Sequence, residues 1–568
     1  MVFRTTSQLL QPLPRDLPDD VPIFEFLLNE RYGRHPLADS RPAYTCGITG
    51  LSYSAHDISE RIEYVARSLA QIMGWEPNSG SECDKVVGIF SQNAVDAIPS
   101  MWATHRLSGI VTPINASYVK AEVIHQLSQA HVKALFTCRS LLPIALEAAR
   151  AVGIATDHIF LLDTGADLSR DPGLVPFKSF DELVRLGKEA PSLEPLKWSI
   201  GQGETQPAFI CFSSGTSGLP KGVLISHRNV IANVLQLAGL ERTQREPGKT
   251  ETALGLLPQS HIYALVVICH GCVYRGDQVV ILPKYELSTM LRAVTKYAIA
   301  TLFLHAEKLE EYDLGHVRNL LTGAAAFSPT AWATLERIFP NGVLRQGYGL
   351  TESSASVSSS PRSDCMYGSS GVLLSGIECK IVTESGEERT GYGEEGELWI
   401  RSPSIAMGYL NNDRATRETF VRDGWLRTGD KALFRRGPNG SDHLFIVDRI
   451  KELIKVKGMQ VAPAELEAYI LANEAVADVA VIGVQDERHG EVPKAFIVKR
   501  LGSNITDEQL TEEIHQSFKK DKARYKHLRG GIEIQAAIPK SPSGKILRRQ
   551  LKDQESKLWI EAAYKVKL

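Results

Sequence analysis

An α/β protein of two domains is what this sequence predicts: a large N-terminal domain with parallel sheets and a β-barrel-like subdomain, and a small α+β C-terminal domain. Three observations carry that expectation. The chain has 568 residues, more than one hydrophobic core supports. Helix-like and strand-like segments alternate to about residue 340, the pattern of parallel strands joined by covering helices. Between about 365 and 447 the pattern changes to short β-like runs with Gly-rich turns, and it changes again at Asp448-Arg449-Ile450-Lys451.

The elements follow in order. Residues 1–45 are rich in Pro and Asp and read as a stretch wrapped over the surface. From Ser54 the spacing predicts an amphipathic helix with Ile58, Ile62, Val65, Leu69 and Ile72 on one face. Val86 to Phe90 reads as a buried strand. The runs around 377–382, 396–401 and 443–448 carry the barrel-like expectation. Beyond Arg449, Pro463 is placed to open a helix. Strand-like segments around 478–484 and 494–500 follow, then a helix from Asp507 to Lys520. The basic run Lys519 to Arg529 reads as a solvated face.

Composition excludes several classes. Apolar residues at 43% and charged residues at 23% describe an ordinary globular chain, and a net charge of −2 gives no reason to expect nucleic-acid binding. Eight cysteines in this length are no disulfide framework; Cys269 and Cys272 form a lone CxxC inside an apolar run and read as buried, inert thiols. No apolar run reaches the length of a membrane span, and the N-terminus lacks the apolar core of a secretory signal. The cytoplasm is the expected compartment. The peroxisome is the alternative, because Val566-Lys567-Leu568 differs by one residue from the Ser-Lys-Leu address.

The most informative string is Phe209 to Asn229. An apolar run enters a loop of Ser213, Ser214, Gly215, Thr216, Ser217, Gly218, Leu219, Pro220 and Lys221, and a second apolar run leaves it. Two glycines let the backbone approach a polyphosphate, hydroxyls and amides donate to it, and Lys221 adds charge. The glycine spacing and the strand that follows are not those of the common P-loop. This string resembles the phosphate loop of the adenylate-forming (AMP-binding) superfamily, which includes acyl-CoA synthetases, peptide-synthetase adenylation domains and beetle luciferases.

Further motifs fall in the same order as in that superfamily. Arg345-Gln346-Gly347-Tyr348-Gly349-Leu350-Thr351-Glu352 is similar to its second motif. Tyr348 offers a flat face to adenine, Thr351 a hydroxyl to phosphate, and Glu352 an oxygen ligand suited to Mg²⁺. Gly323-Ala324-Ala325 resembles the adenine-side segment. Trp425 to Asp430 resembles the ribose motif, in which one carboxylate, Asp430, accepts from both vicinal hydroxyls, with Arg449 beside it. Pro539 to Arg549 resembles the segment that delivers the adenylation lysine, Lys545.

Leu257 to Leu265 resembles the acid-pocket motif. It places His261 by the carboxylate, with Tyr263, Ala264, Val267, Gly323, Gly347, Ala355 and Ser356 as pocket wall. The resemblance runs from about residue 45 to 550, and is strongest to 4-coumarate–CoA ligase-like acyl-CoA synthetases.

What the resemblance implies is an N-terminal AMP-binding domain over 1–447, a mobile C-terminal domain over 448–568, and a hinge near 448–451 at Lys451. It implies a two-step reaction with ATP, Mg²⁺ and coenzyme A, in which a carboxylic acid becomes an acyl-adenylate and then a thioester. Glu352 and Thr216 would face the metal. Lys455, Gly458, Met459 and Gln460 would replace Lys545 at the site for the second step. No acidic residue stands at the inferred pocket positions, so an aromatic or a medium- to long-chain aliphatic acid is expected rather than an amino acid. His305 to Glu311 is shorter than the corresponding segment of relatives, which leaves the pocket's shape open. Loading of a separate carrier protein is the alternative, and a catalytically impaired nucleotide-binding paralogue another.

Overall fold

The structure, a computed structural model, describes residues 2–5, 9–165, 177–213, 220–302, 314–323, 335–457, 459–486, 488–541 and 544–555. Three sheets organise them. The first is seven-stranded. Ile110–Ile114, Val86–Phe90, Ala134–Cys138 and Ile159–Leu162 run parallel, and the antiparallel pair Pro207–Ser213 and Lys221–Ser226 extends one side. The parallel strands read as continuous apolar runs because both faces are covered, and all five residues of Val86–Phe90 are buried.

The second sheet begins parallel, through Gln278–Ile281, Thr252–Gly255, Thr301–Leu302, Asn319–Thr322 and Val343–Leu350. At Val343–Leu350 it turns antiparallel and continues through Ala355–Ser359, Val372–Leu373, Asp442–Arg449, Trp425–Arg436, Gly396–Arg401 and Glu378–Val382. The barrel-like expectation is corrected here. These strands form an open layer ending on Phe3–Arg4, and no barrel closes among the described residues.

The N-terminal stretch is also more than a surface wrap. Ile23–Leu28 is a helix whose Ile23, Phe26 and Leu27 are fully buried, with Phe26 stacked on Tyr274 at 5.1 Å between ring centroids. The helix Ala55–Met73 starts as the sequence predicts. Ser54 caps it through a reciprocal bond with Asp57, and Ile58, Ile62, Val65 and Leu69 are buried while Ile72 is half-buried.

The third sheet lies wholly after the strand Asp442–Arg449. Its strands are Ile454–Val456, Met459–Val461, Val476–Asp486, Gly490–Lys499 and Ile532–Ile534. Side chains alternate across Val476–Asp486: Val479 and Val481 face the helices Pro463–Leu471 and Asp507–Asp521, and Ala480 and Ile482 face Ile538 and Leu551. Among the described residues no helix is long and apolar enough to cross a membrane.

Candidate active site

The chemistry-bearing motifs converge on one open cavity. It lies between the parallel-to-antiparallel turn of the second sheet, the end of the first sheet and the loop that carries Lys545. The turn is built for tight approach. An added Cβ at Gly349 would sit 1.5 Å from the Ala355 carbonyl oxygen, so only glycine fits there. Ser354 (φ 56°) and Ala355 (φ 112°) hold left-handed backbone, a local strain that folds the chain back and presents Thr351 and Glu352 to the cavity.

Asp430 and Arg449 face one another across antiparallel strands, and Arg449 Nε stands 3.3 Å from Asp430 Oδ1. Tyr348 donates its hydroxyl to Asp430 Oδ2 at 2.5 Å, and Thr428 Oγ1 accepts from the Asp430 backbone N–H. Asp430 is buried, which raises its pKa, while Arg449 and the Tyr348 hydroxyl act to lower it. The Tyr348 phenol is held well above its ordinary value by burial and by that carboxylate, so it stays a donor.

Glu352 is oriented from two sides. Ser213 Oγ donates to its Oε1 at 3.3 Å, and the Tyr409 hydroxyl donates to the same oxygen at 2.9 Å. Lys221 lies over the Tyr409 ring, 4.9 Å from its centroid, and pairs directly across from Ser213. One end of the Ser/Gly loop therefore meets Glu352 directly, and the other meets the Tyr409 ring that tethers it. Its residues Ser214, Gly215, Thr216, Ser217 and Gly218 lie outside the described residues.

Lys545 enters from the C-terminal unit. Gly544 (φ 81°) turns the chain, Ser541 N donates to Lys545 O at 2.8 Å, and Lys545 N donates to Ser541 Oγ at 3.1 Å. Burial lowers the Lys545 pKa, the positive Arg449 lowers it further, and Glu452 and Asp430 act the other way. His261 faces the same cavity. Surrounding protein lowers its pKa, with a smaller push from Lys545, and Nδ1 accepts from Tyr263 N at 3.3 Å. That bond leaves the proton of the neutral ring on Nε2.

On the acid side, Tyr263, Val267, Gly323, Gly347, Ala355 and Ser356 all line the cavity, beside Gln346. A Cβ at Gly323 would meet the Gly347 carbonyl at 3.4 Å and the Tyr263 ring at 3.8 Å, so small residues keep this wall thin. Ala264 does not belong to the wall. It is 1% exposed and packs into the core, because the π-helix Tyr263–His270 turns Tyr263 and Val267 outward and Ala264 inward.

Lys455, Met459 and Gln460 also stand away from the cavity, exposed on a hairpin, whereas Lys451 lines it. Ala324, Ala325, Gly458, the short segment His305 to Glu311, and Val566-Lys567-Leu568 lie outside the described residues. Sequence reasoning missed the tethering role of Tyr409. It also gave no role to Arg345, which is 1% exposed and belongs to an ionic cluster with Glu241 and Arg245. Cys269 and Cys272 are buried, and burial pushes both thiols up to about 12.

The donor set fits Mg²⁺ held mainly by phosphates. No cluster of three or more His, Cys, Asp or Glu able to cage a metal occurs among the described residues, and an oriented carboxylate faces the loop.

The chain is similar to known proteins over most of its length. The family model described as "AMP-binding enzyme" matches residues 36–410, and that described as "AMP-binding enzyme C-terminal domain" matches 465–545. The chain is 38% identical to acyl-CoA ligase easD of Emericella nidulans, covering 97% of this chain and 100% of that one. It is 40% identical to acyl-CoA ligase AFT1-1 of Alternaria alternata, covering 97% of each. Among solved structures, the anthranilate CoA ligase AuaEII with anthranoyl-AMP shares the fold at a TM-score of 0.80 and 22% identity, over 95% of this chain and 98% of that one. The chain belongs to the AMP-binding enzyme family.

Proposed function

We infer that this member of the AMP-binding enzyme family is an ATP-dependent acid–CoA ligase. A carboxylate oxygen attacks the α-phosphorus of ATP, forming acyl-AMP and releasing pyrophosphate. The thiol of coenzyme A then attacks the acyl carbonyl, and AMP leaves as the thioester forms. One observation carries the reading: Lys545 reaches the same cavity as the Asp430–Arg449 pair, the tethered Glu352 and His261. Full-length relatives named as acyl-CoA ligases support it.

The residue roles follow from their chemistry. Asp430 accepts from the ribose hydroxyls, with Arg449 beside it. Lys545 holds the acid's carboxylate against the α-phosphate, two anions that otherwise repel, and stabilises the charge that develops between them. Neutral His261, with its Nε2 proton, borders the reacting carboxylate. Lys221 and the hydroxyls of the Ser/Gly loop take the phosphates. Mg²⁺, when bound, offsets triphosphate charge, with Glu352 and Thr216 as the residues to hold it.

We further propose a boundary near 448 and a hinge at Lys451, so that Lys455, Gly458, Met459 and Gln460 serve the thioester step after the C-terminal unit turns. The acid has an apolar body, aromatic or aliphatic. The cytoplasm is the proposed compartment, with the peroxisome as the alternative.

The test is pyrophosphate release from a panel of acids, with and without coenzyme A. Acid-dependent pyrophosphate and AMP, with thioester only when coenzyme A is present, is the expected result. ADP and phosphate as products would remove the reading.

A further inference from the structure

At the floor of the acid pocket lies a buried ionic cluster that the two-step chemistry does not use. Arg345 sits two residues along the strand Val343–Leu350 from the pocket-wall Gly347, hence on the same face and roughly 6–7 Å deeper. It is 1% exposed. Its Nε donates to the Ser360 carbonyl at 2.7 Å, and its Nη2 stands 2.9 Å from Glu241 Oε1. Its Nη1 is buried with no hydrogen-bond partner among the described residues.

Beside it, on the neighbouring strand, Asn319 donates its amide to Glu251 Oε2 and Thr301 Oγ1, both at 3.3 Å. Its Oδ1 has no partner among the described residues. Both residues line the cavity, and the nearby Tyr263 ring lies against Gly323. One donor and one acceptor are thus unanswered in the same wall, in a protein interior where such groups are normally paired.

The cluster's charge narrows what can answer them. Arg245 pairs with Asp277 at 2.9 Å, Glu241 at 3.1 Å and Glu251 at 3.3 Å, and Arg275 pairs with Asp277 at 2.9 Å. Three guanidiniums therefore meet three carboxylates, and a fourth, that of the half-buried Arg362, stands at the edge of the cluster, near enough to feel Glu251 and Glu241, and donates to the Arg318 carbonyl. Among the described residues each carboxylate of the cluster is already paired with a guanidinium, and Arg345, Arg245 and Arg275 are each already paired with a carboxylate, which favours a neutral group on the substrate over a second charge.

Building on the ligase reading, we propose that the preferred acid carries a neutral oxygen at the end far from its carboxylate, a hydroxyl or a carbonyl, received by Arg345 Nη1. A hydroxyl can in addition donate to Asn319 Oδ1. A buried donor aimed at a ligand oxygen discriminates strongly against the analogue that lacks it, because the protein group is then left unmet.

The experiment is ATP–pyrophosphate exchange by the full chain over a length series of straight-chain and phenylalkanoic acids. Each plain acid is set against its terminally hydroxylated, keto and dicarboxylic counterparts. At the best-fitting length, the hydroxy or keto acid should exceed the plain acid in kcat/KM by about 10- to 100-fold, with the diacid no better than the plain acid. Arg345→Leu should abolish the preference, and Arg345→Lys should keep part of it.

Equal or better turnover of plain acids at every length would overturn the inference while leaving the ligase intact, as would an Arg345→Leu variant that keeps the preference. If Arg345→Leu does not fold, the native enzyme's acid pairs decide alone. Exchange with no acid of any kind would remove the ligase reading and this inference with it.

Discussion

Two lysines of the C-terminal unit occupy opposite situations. Lys545 sits in a tight turn inside the cavity, close enough to be perturbed by Arg449 and to perturb His261. Lys455 stands exposed on the hairpin Ile454–Val456/Met459–Val461, its backbone N–H donating to Glu491 at 2.8 Å. One rigid sheet and its packed helices connect the two. In this arrangement only one of them can serve the cavity. If both act at one site, the unit has to turn as a body about the segment that joins it to the larger sheet.

The strongest test removes the lysine that is in place. Lys545→Ala should lower acid-dependent ATP–pyrophosphate exchange on the order of 100-fold or more, as expected for lost transition-state electrostatics. Conversion of supplied acyl-AMP to thioester should persist. The lowered Lys545 pKa gives a pH signature. The ammonium is the working form and is lost as pH rises, so kcat/KM for adenylation should fall on the alkaline side at a pH below the ordinary lysine value of 10.5. An alkaline limb at or above that value would mean that Lys545 is not seated as seen here.

Next in size is a block on turning. The joining turn is closed by Ile450 N donating to Gly429 O, and by Glu452 N and Leu453 N donating to Arg449 O at 2.9 and 3.1 Å. Lys451→Pro fixes one φ in this turn and restricts Ile450 before it. Pyrophosphate exchange should survive, while thioester formation from supplied acyl-AMP falls on the order of 10- to 100-fold. Equal loss of both half-reactions in a folded variant would count against a turning unit.

A smaller effect is expected from Arg548, three residues beyond Lys545. It ties the loop to the unit through Glu452 at 2.8 Å and Glu467 at 2.7 Å, all three side chains being largely buried. Arg548→Met strands two buried carboxylates, at a cost of about 3 kcal/mol or more in stability. Adenylation should fall about tenfold by displacement of Lys545, roughly the effect of one misplaced catalytic group. Arg548→Lys should recover part of it. A melting curve alongside separates displacement from unfolding.

The sequence made some of this plain and hid the rest, for physical reasons. The apolar spacing that begins after Ser54, and Pro463 before a helical run, are local signals, and both elements start where they say. The ribose-like and lysine motifs are contiguous strings, and the structure brings Asp430, Arg449 and Lys545 to one cavity as their order suggests.

What stayed hidden is assembled at a distance. Arg345 meets Glu241, and Arg245 meets both Glu241 and Asp277, only because separate strands and a helix end converge. Nothing in their spacing announces it. Ala264 was placed on the pocket wall by its position in a motif, but a motif does not say which way a π-helix turns each side chain. The buried Ile23, Phe26 and Leu27 were masked by the Pro- and Asp-rich residues around them.

The finest test concerns what keeps the Lys455 hairpin away from the site. Gln460, directly across from Lys455, accepts from Lys431 Nζ at 3.3 Å and donates to Glu384 Oε1 at 3.0 Å, both partners in the larger sheet or its turns. These are exposed contacts, and contacts of that kind contribute no more than about 1 kcal/mol. They nevertheless span the two units that the proposed turning would separate, so on that reading their loss acts on the equilibrium between arrangements rather than on the fold. Glu384→Ala cuts the tether from the exposed side of the larger sheet and spares Gln460 for its proposed part in the thioester step; it should leave the melting temperature unchanged. It should lower adenylation by about two- to threefold, because 1 kcal/mol is at most a few-fold in an equilibrium constant. If the hairpin's outward position is only one of two balanced arrangements, thioester formation should rise by a similar factor. A fall in both half-reactions would instead mean that the tether does not act on a balance between two arrangements, and the contrast between the two lysines would lose its simplest explanation.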